Sequence, residues 1–167
     1  IWADVNENGT NGQYSKLMRY EDFGAACNLM NEGYDGFYGV VQACNGAIAY
    51  QDQVTDASQD AVYKLAAEAH FIRAHALFNL VEYRGGKYLP LAPVKEEIKS
   101  LPMSTVNEFY KVILEDLEFA MKYLPITQPN QGHVKRAAAY HLYAKACMTY
   151  STYTDKISNV VPISEAE

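Results

Sequence analysis

Positive charge is scarce in this 167-residue sequence, which has 14 Lys and Arg against 20 Asp and Glu and a formal net charge of −6. The lack of a basic stripe argues against a nucleic-acid backbone or an anionic membrane surface as the main partner. Long apolar runs are also missing, and none would cross a bilayer. With 49% hydrophobic residues, the chain is typical of one domain that can bury a core.

Cysteine is scarce too. Cys27, Cys44 and Cys147 form an odd set without a CxxC pair. This pattern supports neither a disulfide framework nor a zinc site, and it favours small buried thiols.

The motifs of common enzymes are absent. The four histidines show no HExxH or ExxH spacing, and no GxSxG or GxxxxGK occurs. His70 and His75 lie five residues apart, about 140° around a helix, so they do not share a face. Paired carboxylates that could face each other are lacking. We therefore predict no enzymatic activity and no cofactor, and we interpret His70, His75, His133 and His141 as hydrogen-bonded or solvent-edge residues.

Apolar residues recur at helical spacing in several segments, which predicts an all-α chain. A capping box at Thr105 and Glu108 marks one helix start, and Pro125 ends that helix. A short helix is expected to stop at Gly33. The predicted helices are Tyr20–Asn31, Tyr34–Gln51, a helix from a cap at Thr55, Asp56 or Ser58 to about Glu82, Thr105–Leu124, and Lys135–Tyr150.

The helix that ends near Glu82 carries two apolar series, which predicts neighbours on both sides. One series is Leu65, Ala69, Ile72, Ala76 and Leu80, and the other is Ala67, Phe71, Ala74, Phe78 and Val81. The next helix has a single buried stripe: Phe109, Ile113, Leu117, Ala120 and Leu124. Six tyrosines at helical spacing are expected to pack in the core or between helices: Tyr38, Tyr83, Tyr110, Tyr140, Tyr143 and Tyr150.

Residues 84–104, RGGKYLPLAPVKEEIKSLPMS, form a connection with three prolines and two glycines. It exceeds the usual length of a helix–helix linker, and such insertions are often functional.

The N-terminal stretch DVNENG resembles the start of a calcium loop. Asp4, Asn6 and Asn8 would supply its first three ligand positions, and a glycine follows. The bidentate Glu of an EF-hand loop is missing, because Ser15 occupies position twelve. The alternative is an Asx-rich turn whose side chains cap their own backbone.

The same stretch also has the residue types of a sugar site. An aromatic face stacks on a pyranose, and planar amides and carboxylates take its hydroxyls. We therefore predict ligand contacts here, with an ordinary surface loop as the alternative. The candidate residues are Trp2, Asp4, Asn6, Asn8, Asn11 and Tyr14.

The helical segments are similar to tetratricopeptide repeats. Residues 62–83 resemble the first helix of a unit, EFYKVILEDLEFAMKYLP resembles the second, and residues 135–150 resemble the first helix of another unit. The partner of this last helix is missing, so we expect the chain to be part of something longer.

Residues 67–91, AEAHFIRAHALFNLVEYRGGKYLPL, resemble the signature helix of SusD/RagB-type nutrient-binding lipoproteins. Three further segments match in order. They are Tyr34-x3-Tyr38-x2-Val41-x2-Cys44-Asn45, TVNEFYKVILEDLEFAMKYLP and GHVKRAAAYHLYAKACMTY. Together they cover roughly residues 34–150, and four ordered patterns are more specific than any one. The chain departs from the family in its shorter length, in the absence of a lipid-modified Cys near the start, and in the loop RGGKYLPL.

The resemblance implies an all-α, tetratricopeptide-like helical array (an α–α superhelix). It places this helical domain at 20–150, between a polar, glycine-bearing stretch at 1–19 that we interpret as a loop and a polar tail at 151–167 that we expect to mark a truncation. The implied function is non-catalytic capture of an oligosaccharide or other nutrient on the outer membrane, by a lipid-anchored protein. The implied partner is a SusC-like TonB-dependent transporter. A tetratricopeptide scaffold for a protein or peptide is the alternative.

Three signature residues are interpreted as structural. Glu68 and Arg73 lie in a mostly apolar helix, where a partly buried charge pair or a helix cap would satisfy them. Asn45 is expected to hold a neighbouring backbone segment rather than a ligand.

Overall fold

Four α-helices make up most of the computed structural model, which describes residues 28–94, 100–130 and 132–152. No strand occurs within these ranges, and the predicted all-α class is confirmed. None of the helices in them is long and apolar enough to span a bilayer. The helices are α1 (Asn28–Tyr50), α2 (Gln59–Arg84), α3 (Val106–Tyr123) and α4 (Arg136–Ser151), with a 3-10 turn at Gln51–Gln53.

The chain divides into two compact units, Ile1–Gly36 and Phe37–Glu167. The described part of the first unit is the beginning of α1, residues 28–36. The second unit contains the remainder of α1, helices α2 to α4 and every contact reported below. The domain limits expected from the sequence, 1–19, 20–150 and 151–167, stay predictions.

Helix α1 passes through Gly33, so the predicted stop at this residue is wrong. A glycine ends a helix most readily when it adopts a left-handed conformation. Within the described ranges, positive φ angles occur only at Gly85 (68°) and Gly132 (97°) among the glycines. Gly33 therefore lowers the helix propensity of α1, by about 1 kcal/mol, without ending it.

The caps of α2 and α3 follow the sequence signals. The Ser58 hydroxyl accepts a hydrogen bond from the Ala61 amide at 3.3 Å, so Ser58 is the cap among the three candidates. At α3, the Thr105 hydroxyl accepts from the Glu108 amide at 3.2 Å. The Glu108 carboxylate accepts from the Thr105 amide at 2.6 Å. This reciprocal pair is the predicted capping box.

The core lies where α2 packs against α3 and α3 packs against α4. Every residue of the predicted α3 stripe is fully buried, and α2 contributes Ala67, Ala74, Leu77 and Val81 at the same depth. Each large apolar side chain buried in this way stabilises the fold by about 1.5–3 kcal/mol. The packing of consecutive helices agrees with the tetratricopeptide-like arrangement.

Some predicted core positions are instead exposed. Leu65 is 69% exposed and Ile72 is 41% exposed, whereas Ala76 and Leu80 of the same series are buried. Tyr83 and Tyr140 are 65% and 52% exposed, whereas Tyr110, Tyr143 and Tyr150 are buried. Periodicity identifies the apolar positions of a helix, but it does not establish that a neighbour covers each of them.

Candidate functional site

The predicted ligand contacts, Trp2, Asp4, Asn6, Asn8, Asn11 and Tyr14, lie outside the described residues. The same holds for the calcium candidates among them. Both interpretations remain predictions. The polar chemistry that the structure does describe lies around the signature helix α2.

A buried ion pair joins α2 to α3. The Arg73 guanidinium donates from Nε to Asp116 Oδ2 at 2.8 Å and from Nη2 to Asp116 Oδ1 at 2.7 Å. Arg73 is 8% exposed and Asp116 is 2% exposed. Two parallel hydrogen bonds between a guanidinium and a carboxylate fix the relative orientation of both groups. The ion pair therefore sets the register of α2 against α3.

Two further side chains complete this network. Arg73 Nη1 donates to Asn45 Oδ1 on α1 at 2.8 Å. His70 Nδ1 donates to Asp116 Oδ1 at 2.6 Å, and its ring packs on Phe119 at 4.2 Å between centroids. His70 Nε2 is buried and has no hydrogen-bond partner among the described residues. The Asp116 carboxylate thus receives three hydrogen bonds from two α2 side chains.

Asn45 extends the network to the 84–104 connection. Its amide nitrogen donates to the main-chain carbonyl of Pro90 at 3.0 Å and approaches that of Ala92 at 3.4 Å. The prediction that Asn45 holds a neighbouring backbone segment is confirmed. The side chain is 1% exposed, so a ligand could not reach it without displacing this segment.

Glu68 and Arg73 each find a partner, but they do not pair with each other. The Glu68 carboxylate lies 3.0 Å from His133 Nδ1 and accepts from Gln128 Nε2 at 3.2 Å. Both partners belong to the turn between α3 and α4. The two signature charges therefore hold different elements, α3 through Arg73 and this turn through Glu68.

The remaining reactive groups are poorly suited to catalysis. Burial raises the pKa of the Cys44 thiol, an effect that Arg73 partly offsets. Burial and the nearby Glu118 raise the pKa of the Cys147 thiol. Both thiols are therefore protonated and weakly nucleophilic at neutral pH. Within the described ranges, no three His, Cys, Asp or Glu side chains are arranged to hold a metal ion.

Asp116 is the residue of this network that sequence reasoning missed. It lies in α3 beside Leu117, next to the buried stripe, and three residues after Ile113. A carboxylate next to an apolar stripe is a signal for a buried partner, and Arg73 in the mostly apolar helix α2 is a cation that could match it.

Comparison with known proteins agrees with this architecture. The model of the SusD-like family described as "starch-binding associating with outer membrane" matches residues 3–148. The chain belongs to the SusD-like family. Its match covers the signature helix α2 and the whole of α1, α3 and the α3–α4 turn.

Individual relatives support the assignment. The SusD-like protein P2 of Formosa agariphila is 27% identical over 149 residues, which are 88% of this chain and 29% of the relative. The crystal structure of a SusD-like protein from Bacteroides fragilis is 27% identical, with a TM-score of 0.65 over 77% of this chain and 26% of that chain. A crystal structure with xylogluco-oligosaccharide is 26% identical, with a TM-score of 0.64 over 73% of this chain and 24% of that chain. The chain thus spans less than a third of the length of these relatives.

Proposed function

We propose that this chain is the helical part of a non-catalytic protein that captures oligosaccharides at the outer membrane. The observation that carries the proposal is the family match over residues 3–148. It is supported by the likeness to a crystal structure that contains a xylogluco-oligosaccharide. Binding and handover of a glycan need neither a nucleophile nor a metal, in keeping with the protonated thiols Cys44 and Cys147.

The proposed ligand contacts are those with the residue types of a sugar site, at 2–14. Trp2 and Tyr14 would provide the stacking faces. The polar side chains would take hydroxyl groups in pairs; they are Asp4, Asn6, Asn8 and Asn11.

The proposed partner is a TonB-dependent outer-membrane transporter that receives the glycan, with the helical units forming most of the contact. The protein would be held at the outer face of the membrane by a lipid anchor. A gene for such a transporter beside the gene for this protein would support the partnership, and a glycoside hydrolase gene nearby would indicate the substrate.

Calorimetric titration with xyloglucan oligosaccharides, laminarin oligosaccharides and maltooligosaccharides tests the binding. We expect heat of binding with at least one of the three, and its loss in the Trp2→Ala/Tyr14→Ala double variant. The matched control is Tyr83→Ala, which removes an exposed tyrosine of α2 and should leave affinity unchanged. If the double variant binds as well as the parent chain, the proposed contacts are wrong. If no saccharide binds and a protein segment does, the chain is a peptide scaffold instead.

A further inference from the structure

The two ends of the connection between α2 and α3 contact each other, and we refer to this contact as the neck of the loop. The Ser104 amide donates to the Lys87 carbonyl at 2.8 Å. A Cβ atom on Gly86 would collide with the Ser104 carbonyl, so the two ends of the loop approach as closely as glycine allows. Compact loops with adjoining ends are frequently functional.

One limb, residues 88–94, is fastened to α1, and we refer to it as the latched limb. The Tyr38 hydroxyl donates to the Tyr88 carbonyl at 2.6 Å, and the Val94 amide donates to Gln42 Oε1 at 3.1 Å. Asn45 holds the carbonyl of Pro90 between these two points. The three α1 side chains follow helical steps of four and three, so they form one stripe.

All of these hydrogen bonds go to the main chain of the latched limb. Among the side chains of the limb, the Tyr88 ring stacks on the Tyr38 ring at 6.4 Å between centroids, whereas Leu91 and Val94 remain about half exposed, at 53% and 48%. A loop held at three main-chain positions presents its exposed side chains from a fixed backbone. Fixing a loop in advance reduces the ordering cost of binding.

Asn45 is the buried member of the stripe, and only one orientation of its side-chain amide satisfies its hydrogen-bond partners. With Oδ1 on Arg73 and Nδ2 on the limb, every contact joins a donor to an acceptor. A flipped amide would present its NH2 group to the guanidinium and its oxygen to the Pro90 carbonyl, and both contacts would be repulsive. Arg73 selects the working orientation, because a guanidinium can only donate.

Arg73 is in turn held by Asp116 through two parallel hydrogen bonds. A continuous chain of contacts therefore runs from α3 through α2 and α1 to the limb. We propose that Arg73 and Asp116 are positioning residues for the latched limb, which act by fixing the Asn45 amide. When the chain of contacts is broken, the limb opens as a local unit while the α2–α3 core stays folded. This inference does not depend on the ligand of the protein.

Hydrogen exchange of the Val94 amide, measured by NMR on the 167-residue chain, tests the proposal. Arg73→Lys keeps a positive charge beside Asp116 but cannot hold both Asp116 and Asn45 in a planar fork. Asn45→Asp keeps an acceptor for Arg73 but replaces the donor to the limb. We expect each variant to accelerate Val94 exchange about tenfold, which corresponds to about 1.4 kcal/mol. The exchange of the Ile113 and Leu117 amides in α3 should accelerate by a smaller factor than that of Val94 in both variants.

Two controls bracket the result. Gln42→Ala removes the acceptor of the Val94 amide and gives the exchange rate of this amide without its hydrogen bond. Asn79→Asp makes the same chemical change as Asn45→Asp at an asparagine of α2 that bonds within its own helix, and it should leave Val94 unchanged. The proposal is overturned if Val94 exchange does not change, or if it accelerates only by the factor seen at Ile113 and Leu117. If Arg73→Lys does not fold, Asp116→Asn, which removes the charge that holds Arg73 and keeps the shape of the side chain, is measured in its place.

Discussion

The α2–α3 interface and the contact between α1 and the latched limb are built in opposite ways. The interface buries Leu77, Val81, Ile113 and Leu117 completely and contains one charged pair. The contact with the limb consists largely of single hydrogen bonds between α1 side chains and main-chain atoms of the limb.

The two kinds of contact have different roles: one stabilises the fold, and the other fixes the position of the limb. Apolar burial stabilises roughly in proportion to area and tolerates small shifts. A hydrogen bond contributes only about 0.5–1.5 kcal/mol net, but it depends steeply on geometry. The interface thus supplies the free energy of folding, and the polar contacts decide where the limb lies. Arg73 takes part in both, which makes its network the place to test the distinction.

Removal of the buried carboxylate should have the largest effect. Asp116→Ala leaves Arg73 buried without a counter-charge and His70 without its acceptor, so we expect a loss of about 3–5 kcal/mol. Urea denaturation followed by circular dichroism measures it. The matched control is Glu115→Ala, which removes a carboxylate 4.0 Å from Lys111 in a pair whose side chains are 76% and 61% exposed. The control should change stability by less than about 1 kcal/mol. Equal losses in the two variants would contradict a structural role for the Arg73–Asp116 pair.

A substitution at the loop neck should have the next largest effect. Gly86→Ala places a methyl group against the Ser104 carbonyl, and we expect overpacking to cost about 1–3 kcal/mol. Gly46→Ala is the control, because its Cβ would meet nothing within 4 Å in the middle of α1. It should stabilise by about 0.5–1 kcal/mol. Thermal denaturation of both variants should show shifts of opposite sign, and a Gly86→Ala protein as stable as the parent would rule out a tight neck.

Much of the fold could be predicted from the sequence because its signals are local. The capping box at Thr105 needs only four consecutive residues, and the α3 stripe needs only helical periodicity. The exposure of Leu65 and Ile72 could not be predicted in this way, because it depends on where α2 has neighbours. The sequence predicts that Asn45 holds a backbone segment, but the Pro90 carbonyl that it contacts lies 45 residues away along the chain.

The polar network shows the same limit more sharply. The sequence identifies Arg73 as a charge in an apolar helix. Its partner depends on how α2 is aligned with α3, and no local sequence pattern specifies that alignment. Glu68 is five residues from Arg73 along α2, and the two residues take different partners. The burial of a charged side chain can be inferred from the sequence of one helix, whereas its ion-pair partner can be identified only from the packing of two helices.

The α3 cap should give a smaller effect than the neck. Thr105→Ala removes the hydroxyl that accepts from the Glu108 amide, and we expect a loss of about 1 kcal/mol. Hydrogen bonds from the Thr105 amide, and then from its hydroxyl, lower the pKa of Glu108. The Glu108 contribution is therefore present at neutral pH and is lost as the pH falls through this lowered pKa.

An NMR titration of Glu108 checks the cap directly. Because the hydroxyl is the second cause, the Thr105→Ala variant should show a Glu108 pKa closer to its usual value. The control is Ser58→Ala, which removes the cap of α2 and should leave the Glu108 titration unchanged. A Glu108 pKa that is the same with and without Thr105 would mean that the capping box does not form in solution.

The smallest effect is expected at His75, which lies on α2 outside the Arg73 network. Burial, and then the nearby Lys145, lower its pKa. The unfolded chain therefore binds a proton at a higher pH than the folded chain, so His75 reduces stability as the pH falls through its usual value towards the lowered one. We expect His75→Gln to lose less stability than the parent between about pH 7.5 and about pH 5.5. Urea denaturation at both pH values measures the change in the free energy of unfolding for each protein. The other histidines are common to both proteins, so their contributions cancel in the comparison. Parallel pH profiles would show that His75 does not titrate differently on folding, whereas a reduced slope would mark α2 as pH-sensitive outside its buried charge network.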